Sequence, residues 1–300
     1  MTNTSQTKTV STTQAVIFIF LSVVSMQSSS SLAKTLFAHF PEFTVSLMRL
    51  CFGALLLALV FRAWQIDWSK VRWRAILMYG ASIAGMNLMF YLAIKRLPLG
   101  IAVSLEFIGP LSVALFHARQ KIDIVWVICA VLGLILLFPQ GELHQLQHGL
   151  DPWGVFFALG AGTCWGIYMI VGKNPTGVSN MHTVTLGMAV AFCCVLPVAL
   201  WHGIPTELLN WHFLALFVAL GALASAIPFA LDIVALKSLS PLLFGILCST
   251  EPAFAALSGL IFLQEKLLWT QSLAILVLVI ASIGCTYTTH RAKVRSEQAT

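Results

Sequence analysis

Ten apolar runs of bilayer-spanning length follow one another along this chain of 300 residues, and that succession decides most of what it can fold into. They cover residues 14–36, 43–64, 73–94, 98–117, 124–139, 152–172, 182–202, 211–236, 241–263 and 268–288, the fifth short and the eighth long. About 20 mostly apolar residues are needed for a helix to cross the hydrocarbon core. A helix is the form such a run takes there, because it satisfies every backbone N–H and C=O internally where no water is available. Only 9% of the residues are charged and 59% are hydrophobic, against about 25% charged in a soluble domain. The mean hydropathy of +0.90 is spread over the whole length, so the excess is not one anchor on a soluble body. The expected fold class is an all-α membrane protein of ten transmembrane helices, with the lipid bilayer as its solvent.

The charges then give the chain a direction. With the N-terminus inside, the inner loops and tails hold Lys8, Arg62, Lys70, Arg72, Arg74, Arg119, Lys121, Lys173, Lys237, Arg291, Lys293 and Arg295, and the outer loops only Lys34, Lys95, Arg96 and Lys266. Positive residues stay on the cytoplasmic side, so both termini are expected there, with tails 1–13 and 291–300. The formal net charge of +6 is therefore topological. No basic stripe interleaved with aromatics points to nucleic acid. The seven cysteines all fall inside apolar runs without CxxC spacing, which argues against a disulfide framework or a zinc site and for small buried hydrophobes. No cofactor is implied.

The two halves of the sequence repeat. At an offset of 139, Lys34, Thr44, Val45 and Leu47 meet Lys173, Thr183, Val184 and Leu186; at 142, Ala93, Lys95, Leu97 and Pro110 meet Ala235, Lys237, Leu239 and Pro252. The order maps runs one to four onto six to nine, so the unit is five helices: residues 14–141 and then 152–290. Five is odd, so the second unit enters the membrane from the opposite side, giving inverted repeats about an axis in the membrane plane, a transporter architecture. The repeat also makes the first run the partner of an internal helix, against its reading as a cleaved leader despite Lys8 ahead of Ala15–Val24.

Polar residues inside the runs mark a candidate site. A charge at the bilayer centre costs about 2.5–3.5 kcal/mol on insertion scales, so those that persist face a cavity or a partner. Glu106 and Glu251 lie midway along the fourth and ninth runs, each near one of the matched prolines, which free backbone carbonyls beside them or simply kink the helices for packing. Asp232 sits toward the inner end of the eighth run and Arg49 a turn or two inside the second. Both also fit snorkelling or a structural ion pair. Gln27, Ser28, Ser29, Ser30 and Ser31 cover every face of the first helix, so some point inward, to a polar solute or to a neighbouring helix. Asn87 and Tyr91 sit in the third run. Trp165 and Tyr168, spaced i, i+3 in the sixth, suit an aromatic cavity wall or a packed core.

Several motifs carry no chemistry. Ser31 and Lys34 fit S-x-x-K without any other acyl-enzyme element. Gly172-Lys173 is not a P-loop, since Asn174 stands where Ser or Thr is required. No H-E-x-x-H appears to support an intramembrane enzyme. Gly162 and Gly166 form G-x-x-x-G, read as close packing within the monomer. Glu142, His144, His148 and Asp151 are spaced too loosely for a metal site and read as a solvated loop.

The runs PLGIAVSLEFIGPLSVALF at 98–116, LGAGTCWGIYMI at 159–170 and STEPAFAALSGLIFLQE at 249–265 resemble the EamA family of the drug/metabolite transporter superfamily, and the similarity extends over nearly the whole chain. SLAK at 31–34, Arg49 and the GMNLMFYLAI segment match the pattern as well. The resemblance implies two inverted EamA repeats, location in the bacterial inner membrane, and efflux of small amino acids such as threonine and homoserine against protons. Asp232 stands where the amino-acid exporters carry a glutamate, so the acid is kept with one methylene less reach.

The expected mechanism is alternating access around a midplane cavity lined by the first, third, fourth, sixth, eighth and ninth spans. Gln27, Ser28, Ser31, Arg49, Asn87, Tyr91, Glu106, Trp165, Tyr168 and Glu251 are the substrate-binding candidates: acids for an ammonium, Arg49, Asn87 and the serines for a carboxylate. Glu106, Asp232 and Glu251 are the candidates for carrying a coupled proton. An exporter of another metabolite or drug on the same scaffold, and a membrane protein without transport, are the alternatives. Monomer and homodimer both remain open.

Overall fold

The computed structural model describes residues 10–29, 32, 36–97, 99–136, 150–203, 205–254, 257 and 269–297, and what they form is a bundle of helices, with no strand among them. In chain order the principal helices are α1 (Thr12–Ser28), α2 (Glu42–Val60), α3 (Trp73–Ile94), α4 (Leu99–Phe116) and α5 (Lys121–Leu136). Then come α6 (Pro152–Gly172), α7 (Asn180–His202), α8 (Trp211–Ser238), α9 (Pro241–Phe254) and α10 (Trp269–Glu297). Six helices among the described residues are long and apolar enough to cross a bilayer: α2, α3, α6, α7, α8 and α10. The remaining apolar helices are shorter.

Local chemistry starts and stops these helices. Ser11, Asp151, Ser179, Asn210 and Ser240 each cap a first turn through a side-chain oxygen that accepts a backbone N–H. At the other end of α1 the serine run turns on its own helix. Ser28 donates to the Val24 carbonyl at 2.8 Å and Ser29 to that of Met26 at 2.5 Å, competing with the backbone ladder where α1 ends. Within the first apolar run, expected to continue unbroken to residue 36, α1 thus closes at Ser28 with a turn at Ser29, and Leu32 and Leu36 are again helical.

Two helices are interrupted where they pass the interior. The long α8 contains a π turn, Ala222–Ala226, whose Leu223 carbonyl accepts the Ser25 hydroxyl of α1 at 2.8 Å. In α9 the α-helix stops at Cys248, turns through Ser249 and Thr250, and resumes at Glu251. Pro252 has no N–H to offer the Cys248 carbonyl. The hydroxyls of Ser249 and Thr250 donate to the carbonyls of Ile246 and Leu247, each at 2.6 Å, so two of the carbonyls ahead of the break find partners within the helix.

The helices assemble around close contacts of small residues. The strongest pairings join α3 and α4 to α6, α5 to α10, α2 and α3 to α7, and α1 to α8. In lipid there is no hydrophobic drive between helices, so small residues that let backbones approach are the main adhesive. Pro110 leaves the Glu106 carbonyl of α4 without its usual intrahelical donor, and Gly162 of α6 lies directly on that oxygen. A Cβ on Gly162 would overlap it, and a Cβ on Gly109 would overlap the Gly162 carbonyl. Gly166 packs on Val113 of α4 one turn on, so the G-x-x-x-G motif serves α4 and α6 of one chain. Gly162→Val is expected to cost about 1–3 kcal/mol, as overpacked sites do, and to lower the thermal midpoint of the purified protein in detergent; an unchanged midpoint would show that the α4/α6 contact is dispensable.

The two ends of the bundle differ. Thr12 and Thr13 of α1 share a groove with Tyr287 and His290 of α10, so α1 begins and α10 ends on one side, here the first end. Exposed Trp64, Trp68 and Trp73 sit in and after the α2–α3 connection at that end, while exposed Trp153, Trp201, Trp211 and Trp269 mark the second. Such belts suit the two interfaces of a bilayer. At the first end Asp67 accepts hydrogen bonds from Ser69 and pairs with Lys70 at 2.7 Å. Lys70 first, then Ser69, holds its carboxyl down at about 2, so it stays charged. At the second end Lys95 pairs with Glu42 at 3.4 Å and Arg96 with Asp151 at 3.1 Å. All seven cysteines are free thiols. Glu142, His144 and His148 lie outside the described residues.

Candidate functional site

A cavity of about 300 Å³ lies inside the bundle, nearer the second end, where the last turns of α1 and α3 reach it. Its polar groups arrive from different helices. α1 brings Gln27, α2 Arg49, α3 Asn87 and Tyr91, α4 Glu106, α6 Tyr168, α8 Asp232 and α9 Glu251. Trp165 of α6 completes the set.

Arg49 is the basic group of this chamber. Its Nη2 donates to Asn87 Oδ1, and Asn87 is in turn fixed by donating from Nδ2 to the Ile83 carbonyl at 2.8 Å, four residues back along α3. That anchor turns the amide oxygen toward the guanidinium. Arg49 Nε is buried without a hydrogen-bond partner among the described residues. The ion pairs found among those residues involve Asp67, Glu42 and Asp151, so no carboxylate neutralises Arg49. A half-buried cation held by a neutral amide keeps donors available for an anionic group.

The acids come from three other helices. Glu106 is buried, 8% exposed, one turn before Pro110, and its backbone is the one pressed against Gly162. Glu251 follows directly on the break in α9, a discontinuity of the kind that forms solute sites in membrane transporters. Asp232 lies six residues beyond the π turn of α8. The Ser22 hydroxyl of α1 donates to the Pro228 carbonyl at 3.4 Å, one turn before Asp232. Glu106, Glu251 and Asp232 line the same cavity. A sequence reading that placed Asp232 near an interface is thereby refined: the carboxylate faces the chamber.

Apolar walls complete it. Trp165 packs against Phe107 with ring centroids 4.9 Å apart, and Tyr168 meets Phe229 edge-on at 5.9 Å. Beneath the chamber, toward the first end, Tyr168 also lies against Tyr79 at 5.1 Å, and Tyr79, Met169, Ile233 and Leu236 are fully buried there. The floor is built of fully buried side chains.

The structure thus gathers Gln27, Arg49, Asn87, Tyr91, Glu106, Trp165, Tyr168, Asp232 and Glu251 around one space. Arg49 adds α2 to the six spans expected to line it. Ser28 is left out: it is exposed and turned back on Val24, because consecutive serines cannot all face inward. Ser31 lies outside the described residues. Sequence reasoning did not single out Met26, Met86, Phe90, Val103, Phe107 or Phe229, since an apolar residue facing a cavity looks like one facing lipid.

A sequence model described as the EamA-like transporter family matches residues 152–287. The threonine/homoserine exporters RhtA of Salmonella typhimurium and Escherichia coli K12 are each 40% identical over 283 residues, 92% of this chain and 92% of theirs. A solved crystal structure, 17% identical, superposes with a TM-score of 0.76 over 93% of this chain and 99% of its own, and so shares the fold. Together with apolar helices long enough to cross a membrane several times, these likenesses make the chain a multi-pass membrane transporter, not an enzyme, and a member of the EamA-like transporter family.

Proposed function

We propose that the protein exports small amino acids of the threonine and homoserine kind across the bacterial inner membrane, by alternating access and coupled to protons. The observation that carries this reading is the chamber itself: an arginine without an acidic partner and three carboxylates face a space of about 300 Å³. That lies at the small end of ligand pockets. A zwitterion offers what each set lacks, a carboxylate for Arg49 and an ammonium for the acids. The apolar wall of Phe107, Trp165 and Phe229 leaves room for a short side chain. The relatives named as exporters of threonine and homoserine support the same substrate class.

The architecture we infer is ten spans in two inverted five-helix repeats, residues 14–141 and 152–290, with both termini in the cytoplasm. Helix pairing supports it. When α1 to α5 are exchanged with α6 to α10, the α3/α6 contact becomes α8/α1, α3/α7 becomes α8/α2, and α2/α7, α4/α9 and α5/α10 map onto themselves; all of these contacts exist. One pair breaks the rule. Among the described residues α4 and α6 are tightly zipped by glycines, while their counterparts, Pro241–Cys248 of α9 and Thr12–Ser28 of α1, meet at few places. An inverted-repeat transporter caught in one of its two states has this asymmetry, and the other state is reached by exchanging the tight and loose contacts. With the first end cytoplasmic, the chamber faces outward above a sealed floor.

A growth test decides the class and the substrate together. Cells lacking their own amino-acid exporters and expressing this chain are expected to grow at threonine or homoserine concentrations that arrest the control. Protection only against another metabolite or a drug would keep the scaffold and replace the substrate. No protection against any solute, with the protein present in the membrane, would overturn export.

A further inference from the structure

A second cavity, of about 420 Å³, lies on the flank of the bundle at the first end, outside the central chamber. Its walls are Val16 and Phe20 of α1, Leu247 of α9 and Ile283 of α10, with the hydroxyls of Ser282 and Thr286 among them. Its rim, at the very end of the bundle, carries Thr12, Thr13, Tyr287 and His290. From Thr12 to Phe20 it runs eight residues along α1, about 12 Å, close to the roughly 15 Å of hydrocarbon in one leaflet. It lies between α1 and α10, with Leu247 of α9 at its base.

The rim is basic. Arg291 lies over the Tyr287 ring, 5.8 Å from its centroid. Lys293 and Arg295 follow in the sequence, and Lys8 precedes α1, while Glu297 is the one acid in these stretches. Basic residues directly beyond a membrane helix recognise anionic lipid headgroups. The walls carry no charged side chain among the described residues, so a zwitterionic amino acid would leave both its charges without an ionic partner there. The N-terminal tail is also a poor occupant, because among residues 1–9 only Met1 is apolar.

We propose that this groove holds an acyl chain of an anionic phospholipid, with its phosphate at the rim beside Arg291 and His290. The proposal rests on the reading above only for the leaflet, which the orientation makes cytoplasmic. The experiment uses the full-length protein purified in detergent. Phosphatidylglycerol and phosphatidylcholine with the same acyl chains are added, and lipid retention by native mass spectrometry and the thermal midpoint are measured. Phosphatidylglycerol is expected to be retained and to raise the midpoint by several degrees, and phosphatidylcholine to do neither. Arg291→Gln is expected to weaken phosphatidylglycerol binding about tenfold. Ile283→Trp, at an exposed groove wall, is expected to abolish the shift, and Val16→Trp, on the facing helix, does the same should the first variant fold poorly. Equal shifts with both lipids, or a full phosphatidylglycerol shift in either tryptophan variant, would overturn the site. Because the readout is lipid binding and not export, its failure leaves the transport reading standing, and the reverse holds.

Discussion

Arg49→Gln is expected to reach the membrane in normal amounts and to bind its exported amino acid about 10- to 150-fold more weakly. The reasoning starts from Arg49 Nη2 on Asn87 and the unpartnered Nε. Glutamine still offers a donor to Asn87, so the helix packing survives, but the charge for a solute carboxylate is gone. Hydrogen bonds to charged groups contribute about 1.5–3 kcal/mol, which is the stated range at tenfold per 1.4 kcal/mol. Concentration-dependent counterflow in proteoliposomes measures it. Arg49→Lys keeps the charge and loses the fork, so partial recovery is expected. A wild-type half-saturation in Arg49→Gln would remove Arg49 from the solute and leave it a structural cation.

The acids carry the second large effect. Glu106→Gln, Glu251→Gln and Asp232→Asn each make one carboxyl permanently neutral with little change of shape. The variant that loses the coupling proton is expected to retain exchange of solute for solute while accumulation driven by a pH gradient falls to background. A variant that loses only an ammonium acceptor is expected to weaken exchange and driven transport together. Comparing the two modes in proteoliposomes separates these roles. Should Glu106→Gln and Glu251→Gln both leave gradient-driven transport unchanged, the assignment of proton and ammonium to these residues fails.

Most of the polar half of the chamber was legible in the sequence because the membrane makes such residues expensive. Arg49, Asn87, Glu106 and Glu251 stand out from apolar runs, and they meet in one space. The apolar half was not legible, because Phe107 or Phe229 buys the same lipid solubility whichever way it points. Nor could the serine run at 27–31 be divided by composition: Gln27 lines the chamber, whereas Ser28 spends its hydroxyl on Val24. The break before Glu251 was half visible in Pro252. What sequence could not supply was the pair of hydroxyls, Ser249 and Thr250, that give two carbonyls ahead of the break partners within the helix. The direction in which Asp232 points was hidden for a different reason, since counting along α8 assumes regular winding.

That winding has a consequence of its own. The π turn at Ala222–Ala226 inserts one residue beyond what a regular turn needs, and each residue advances an α-helix by about 100°. Five residues of the wide turn sweep about the angle that four sweep in a regular helix, so excising one residue there would let α8 coil evenly and leave Asp232 facing the chamber. The same deletion between Ile227 and Leu231, where winding is regular, would turn the carboxylate by a full residue step, so of two neighbouring single-codon losses only the one nearer the acid would mislay it.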